Sequence, residues 1–246
     1  MVGRFGPEFP ILIKFIDAQK DLSIQLHPGD ELARKRHNSF GKTEMWYIMD
    51  ADPGSELIIG FKRDLSAEEY QRAMDARSLP EYLHYEPVAA GDTYFINSGK
   101  NHAIGSGILL AEIQQSSDVT YRVYDFDRRD AHGALRELHT DLALDAIDFK
   151  RKDDFKIRYS QERNRDNTMV NSTYFNTSYL ELNTDFPLQL SGGDSFTALV
   201  CVSGEALVVM DTHEVGVQRG ETVLIPAAAK EVTLKTGDSA FLKVSL

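Results

Sequence analysis

The feature that most restricts the fold is a strand-length apolar run that keeps returning. ILIKFID, LSIQLH, EMWYIM, ELIIGF, DTYFIN, GILLAEIQ and VTYRVYDF follow one another through residue 126. They are continuous or alternating in apolar character and are closed by turn formers such as HPGD and DADPGS, so each reads as one β-strand. Two helix candidates interrupt them. One opens at Ser66 with Glu69 three residues on, the capping-box spacing, in SAEEYQRAMDA. The other is TDLALDAIDF, residues 140–149, and ELARKRH reads as a further short helical turn. After a polar stretch, strands resume as TYFNTSYLEL, TALVCVSG, EALVVMD, ETVLIPA and EVTLKT. The expected organisation is mostly β: residues 1–150 with an inserted helix, a polar connector over 151–172, and a second strand-rich part over 173–246. Two sandwiches or barrels with a small helical connector satisfy this pattern.

The two parts share a phrase. GDTYFINSGKNH runs from Gly91 to His102 and GETVLIPAAAKE from Gly220 to Glu231. Each reads Gly, acid, Thr, an apolar stretch, a turn and then a polar residue. That last residue is His102 in the first copy and Glu231 in the second. Any chemistry resting on His102 is therefore expected only in the first part.

Composition limits what the chain can do. With 42% hydrophobic and 26% charged residues it can build a core, and disorder is not the expectation. A net charge of −11 speaks against nucleic acid as a partner. An anionic substrate would need a local cationic exception. The single cysteine, Cys201, sits in the apolar run ALVCVSG and reads as a buried strand thiol rather than a nucleophile. FPILIKFI is broken by Lys14 and too short to span a bilayer, and no secretory leader is recognised, so a cytoplasmic, non-membrane setting is expected.

Gln25 and His27 stand two apart in an alternating run and share a face, as do Lys42 and Glu44 before MWYIM. His102 follows a GKN turn at a strand mouth. If these elements are neighbours, Gln25, His27, Glu44 and His102 can converge as two imidazoles, a carboxylate and an amide oxygen, a set that suits Zn²⁺. The alternative is hydrogen-bonded core or surface histidines. His37, His84, His132, His139 and His213 read as surface residues. A second constellation, SSDVTYRVYDFDR, sets Asp118 and Arg122 four apart, on one face if the run is a strand. Such a pair can orient a substrate and steady negative charge, or serve as a structural ion pair.

IKFIDAQKDLSIQLHP, GKTEMWYI, GDTYFINSGKNHAIGSGILLAEIQQSSDVTYRVYDFDR and LRELH, in this order, resemble the class I mannose-6-phosphate isomerases (phosphomannose isomerases) of the short bacterial type. The resemblance implies a bicupin of two jelly-roll, cupin-like β-barrels. It also implies one Zn²⁺ per chain and the interconversion of mannose 6-phosphate and fructose 6-phosphate through an enediolate. Carried over by position, the metal ligands would be Gln25, His27, Glu44 and His102. The catalytic group would be Arg122 with Asp118 beside it and Lys42, and Lys14 and Ser23 would meet the substrate. The implied partner is a small phosphosugar, and the implied state a monomer or weak homo-oligomer.

Asn97 stands where the family turn carries proline, and Glu231 where a second histidine would be. The family also carries a further N-terminal, tryptophan-rich segment, whereas this chain opens near RFGPEFP and has one tryptophan, Trp46. Three other readings remain: a cupin isomerase for another phosphosugar such as glucose 6-phosphate, a sugar-phosphate-binding pseudoenzyme, or an inactive fragment. The glycines of GSGILLAE form no phosphate-binding loop pattern.

Overall fold

The computed structural model describes residues 8–129, 131–153, 155–190 and 195–246. The chain divides into two units, one over Ile11–Lys156 and one built on Ile157–Leu246, which Glu8–Pro10 join. The mostly-β expectation holds.

The first unit contains β1 (Ile11–Ala18), β2 (Ile24–Leu26), β3 (Glu44–Ala51), β4 (Glu56–Phe61), β5 (Leu83–Pro87), β6 (Thr93–Ile96), β7 (His102–Ile104), β8 (Ile108–Gln115) and β9 (Tyr121–Tyr124). Helix α1 (Asp30–His37) follows β2, α2 (Ala67–Asp75) follows β4, and α3 (Thr140–Leu144) follows β9. The strands form a four-stranded sheet, β1-β8-β3-β6, and a five-stranded sheet, β5-β4-β7-β2-β9. Alternation gives each strand two faces. Trp46, Ile48, Tyr94, Ile96, Ile108 and Leu110 of the first sheet pack with Leu57, Ile59 and Ile104 of the second. The other face of the five-stranded sheet, with Ile24, Leu26, Ile58, Ala103, Tyr121 and Val123, is covered by Tyr70 of α2 and Ala143 of α3. At roughly 1.5–3 kcal/mol per fully buried large apolar side chain, these two clusters hold the unit together.

The helix signals were informative to different degrees. The capping box is formed: Ser66 Oγ accepts from Glu69 N–H at 3.1 Å and Glu69 Oε2 accepts from Ser66 N–H at 2.9 Å. The helix expected over 140–149 stops at Leu144, because Asp148 N–H donates to the Gly99 carbonyl and the Phe149 carbonyl accepts from Leu65 N–H. Those bonds take the backbone groups that a longer helix would use.

In the second unit the strands are β10 (Asn167–Asn171), β11 (Asn176–Leu182), β12 (Phe186–Gln189), β13 (Thr197–Met210), β14 (His213–Gln218), β15 (Thr222–Ile225), β16 (Glu231–Lys235) and β17 (Ser239–Ser245). They run β10-β11-β17-β13-β16-β12, with β14 and β15 also paired to β13. TALVCVSG and EALVVMD are one fourteen-residue strand, bulged between Cys201 and Ser203 as it pairs with β17. The bulge lets one strand serve several neighbours. Cys201 is fully buried, and burial pushes its thiol up to about 11, as suits an inert core residue.

The shared phrase has the same backbone form in each unit. Gly91 and Gly220 both take φ +89, which favours glycine. Each is followed by a four-residue strand, β6 or β15, and then by a strand that starts at His102 or Glu231.

Candidate metal centre

The inner face of the first unit carries the polar residues that matter. Register sets Glu44 opposite Gln114, Trp46 opposite Glu112, and Lys14 opposite Glu112 across β3, β8 and β1. In the other sheet Gln25 lies opposite His102 on one side and Arg122 on the other. Directly opposed residues share a face, so both sheets turn their polar set the same way as the inner apolar cluster.

His27, Glu44 and His102 come together there, with one ligand atom from each within 4.8 Å of the others. Glu44 Oε1 is 3.3 Å from His102 Nε2, and Glu44 Oε2 is 3.7 Å from His27 Nε2. All three residues are at most 1% exposed. His27 Nδ1 bonds the Val119 carbonyl at 2.9 Å, and His102 Nδ1 bonds the Lys100 carbonyl at 2.9 Å. A ring nitrogen facing a carbonyl must carry the proton, so each Nε2 presents a lone pair.

The electrostatics say why this arrangement needs a cation. Burial, with Lys42 adding to it, holds His102 down at about 4. Burial and neighbouring His102 hold His27 well below its ordinary value. Both rings are therefore neutral, and their lone pairs face carboxylate oxygens. Burial, reinforced by Glu112, pushes Glu44 up to about 7. Among the described residues both Nε2 atoms and Glu44 Oε1 are buried with no hydrogen-bond partner, and Glu44 Oε2 has only its ion pair with Lys42. Orphaned buried polar atoms are costly. Two imidazole nitrogens and a carboxylate converging without thiolates fit a divalent metal ion. Gln25, half-buried and set beside His102 by register, offers an amide oxygen on the same face.

A chain of charges leads away from the three ligands. Lys42 is buried, with Nζ 3.0 Å from Glu44 Oε2 and 3.9 Å from Glu112 Oε1. Glu112 also accepts from Lys14 Nζ at 2.8 Å and from Trp46 Nε1 at 2.9 Å. Burial raises the Glu112 carboxyl, but Lys42 and Lys14 outweigh it and hold it below its usual range. Lys14 donates to Gln114 as well, and is therefore already engaged. Ser23 is buried just before β2, with no hydrogen bond to its hydroxyl among the described residues.

Asp118 is a correction. It is exposed and lies outside β9, which starts at Tyr121, so it does not share a strand face with Arg122. The reason is local: the Ser117 hydroxyl bonds the Phe40 carbonyl and accepts from Val119 N–H, which turns the chain before the strand begins. Arg122 instead meets the segment after β9, donating Nη1–H to the Glu137 carbonyl at 2.9 Å. Its backbone N–H donates to His139 Nδ1 at 3.1 Å, so His139 is an anchor and not an idle surface histidine. The Arg122 Nε is buried and has no partner among the described residues, and burial with Arg136 nearby lowers the guanidinium from its ordinary value. Arg128 and Arg136 both bond one carboxylate, Asp125, and Arg128 also bonds the Asp21 carbonyl next to β2.

Glu112, Trp46, Arg128 and Arg136 were missed from the sequence. A signal for Glu112 was present: in LLAEIQ, Glu112 and Gln114 interrupt an inward-facing apolar series at alternate positions.

The two-sheet β fold and its buried two-histidine, one-carboxylate centre define a metal-dependent, cupin-type protein. Family models match in two places: phosphomannose isomerase type I, catalytic domain, over residues 1–61, and mannose-6-phosphate isomerase, cupin domain, over residues 165–245. The chain belongs to the type I mannose-6-phosphate isomerase family. It is 34% identical over 94% of its length to the mannose-6-phosphate isomerase ManA of Bacillus subtilis, covering 73% of that protein. With the mannose-6-phosphate isomerase of Streptococcus mutans it shares 32% identity over 90% of its length and 70% of that protein's. The crystal structure of a mannose 6-phosphate isomerase from Bacillus subtilis superposes with a TM-score of 0.89 at 31% identity, covering 99% of this chain and 77% of that one.

Proposed function

We propose that this chain interconverts mannose 6-phosphate and fructose 6-phosphate, with Zn²⁺ held by His27, Glu44 and His102 and by the amide oxygen of Gln25. The observation that carries the reading is the set of orphaned ligand atoms, two neutral Nε2 lone pairs turned onto a buried carboxylate, beside a lysine–glutamate chain. Nitrogen and oxygen donors without thiolate are the kind that hold catalytic rather than purely structural zinc. When bound, the ion supplies Lewis acidity toward a carbonyl or hydroxyl oxygen and lowers the barrier to proton loss at the neighbouring carbon.

The chain's own residues supply the rest. In the aldose-to-ketose direction a proton leaves C2 and is returned to C1, while the hydroxyl proton passes from O2 to O1. Lys42 and Glu112, 3.9 Å apart, can share one proton and so act as acid and base in turn. The Arg122 guanidinium, on a residue set opposite Gln25, can steady the oxygen on which enediolate charge develops. Asp118, exposed and off the strand, takes no part in this scheme.

For the phosphate, Ser23 offers its hydroxyl. Lys14 reaches an anion only by giving up Glu112 and Gln114, whereas Arg128 and Arg136 crowd one carboxylate and leave cationic charge to spare. Around the centre the charges of Lys14 and Lys42 cancel those of Glu44 and Glu112. A dication and Arg122 are then the excess that a phosphosugar needs in a chain of net charge −11. We read the two units as a bicupin in which only the first carries the centre, in a monomer or weak homo-oligomer of the cytoplasm.

The test is isomerase activity on mannose 6-phosphate with bound zinc counted in the same sample. Turnover with about one zinc per chain is the expected result. Zinc without turnover overturns the activity, and a folded chain that takes up no zinc overturns the centre.

A further inference from the structure

The turn joining β6 to β7, residues 97–101, holds both histidines of the centre. Gly99 N–H donates to the His27 carbonyl at 2.7 Å, and the Lys100 carbonyl meets His102 Nδ1 at 2.9 Å. Three successive carbonyls of the turn are each engaged. Gly99 accepts from Asp148 N–H at 2.8 Å, Lys100 from His102, and Asn101 from Gly60 N–H at 2.7 Å. Gly99 has φ +83, and a Cβ there would fall 2.7 Å from the Ala146 carbonyl oxygen, so the turn is pressed against residues 146–148.

The middle one of these three carbonyls belongs to Lys100, whose long side chain is 1% exposed. An ammonium so deeply buried is costly unless paired, and an apolar side chain of similar size would fill the space without that cost. Its Nζ meets Asp148 Oδ2 at 2.7 Å and the Lys150 carbonyl at 2.8 Å. Both partners come from the segment after α3, so the ion pair ties that segment to the turn and fixes the direction of the Lys100 carbonyl. Among the described residues that carbonyl is the one hydrogen-bond partner of His102 Nδ1.

We propose that Lys100, through its ion pair with Asp148, is a positioning residue for the metal: it aims the carbonyl that keeps His102 in the Nδ1–H tautomer, with its Nε2 lone pair toward Glu44. This rests on the reading that His27, Glu44 and His102 hold the ion. A ligand histidine binds most tightly while its other nitrogen is held by a fixed acceptor. Loosening the carbonyl admits the Nε2–H tautomer, which hides the lone pair.

The experiment compares the full wild-type chain with Lys100→Met and the near-isosteric Asp148→Asn. Zinc affinity is read by competition with a chromophoric chelator. Histidine tautomers are read by long-range nitrogen–proton NMR on zinc-free protein at neutral pH. In Lys100→Met, zinc binding weakens about 10–100-fold and His102 changes from a single Nδ1–H form to a mixture. His27 keeps its tautomer, since its acceptor is the Val119 carbonyl. Asp148→Asn, which retains its backbone bond to Gly99, moves the same way by less. Unchanged zinc affinity with an unchanged His102 tautomer in folded Lys100→Met overturns the proposal, as does equal scrambling of both histidines, which marks general loosening. Should Lys100→Met fail to fold, Asp148→Asn decides on the same two readouts. If the wild type binds no zinc, the metal reading falls, and the His102 tautomer still decides what Lys100 does.

Discussion

Replacing Glu44 with glutamine isolates the electrostatics of the centre, because the amide keeps the shape and drops the charge. Burial, with Glu112 close by, pushes this carboxyl up to about 7 from an ordinary 4.5. At about 1.36 kcal/mol per pH unit, keeping it ionised in the metal-free fold costs about 3 kcal/mol. The sign follows from proton binding. Between the two values the folded chain holds a proton that the unfolded chain has lost, so wild-type stability is greatest below about 4.5 and falls as pH rises to about 7. Glutamine does not titrate. In EDTA at about pH 8 the variant is therefore more stable than wild type by about 3 kcal/mol, and the gap closes toward pH 4.5. For a unit of this size each kcal/mol is worth roughly 2–4 °C in Tm. With excess zinc the order reverses, because stabilisation by a bound ligand grows with its affinity and only the wild type offers the carboxylate. Thermal melts at several pH values, with EDTA and with zinc, are the assay. A metal-free variant that is less stable than wild type at pH 8 refutes the idea that burial and Glu112 outweigh the Lys42 ion pair at Glu44.

Removing His102 as His102→Ala abolishes stoichiometric zinc, whereas Arg122→Ala retains it and lowers kcat by about 10²–10³; metal analysis beside a coupled isomerase assay separates the two. Lys42→Met, which removes the ammonium between Glu44 and Glu112, keeps zinc and lowers kcat by about 10²–10⁴. Ser66→Ala breaks the capping box of α2 and costs about 1 kcal/mol in denaturant melts. Its kcat/KM stays at the wild-type value, since that helix lies on the opposite face of the sheet from the centre.

Alternation and capping carried much of the fold. The runs ILIKFID, EMWYIM, ELIIGF and GILLAEIQ became strands with little change, because a short apolar run closed by turn formers is written locally, and the last three are buried on both faces. His102 and its neighbours escaped as a strand because three residues show no period, and β7 exists only through pairing with β2 and β4. The spacing of Gln25 and His27 and of Lys42 and Glu44 indicated faces, but not that two sheets would turn those faces on each other. Asp118 misled for the opposite reason. A hydroxyl reaching across to Phe40 ends the extended run, and no pattern along the chain announces so distant a bond. Arg136 and His139 reach Asp125 and Arg122 only after the chain has turned back, so they had no signature in sequence order, whereas Arg128 stands three residues from Asp125.

Trp46 gives the chain a built-in reporter. It is the sole tryptophan, it is 1% exposed, its indole N–H is held by Glu112, and its ring meets His102 edge-on at 5.4 Å between centroids. Excitation of that one indole samples the centre. Any event that shifts charge on Glu112 or reorients the His102 ring alters the field at the chromophore, so metal uptake, substrate arrival and their rates can be followed by stopped-flow emission without a label. Solvent quenchers such as iodide have little access to it, which leaves the emission as a record of the interior alone.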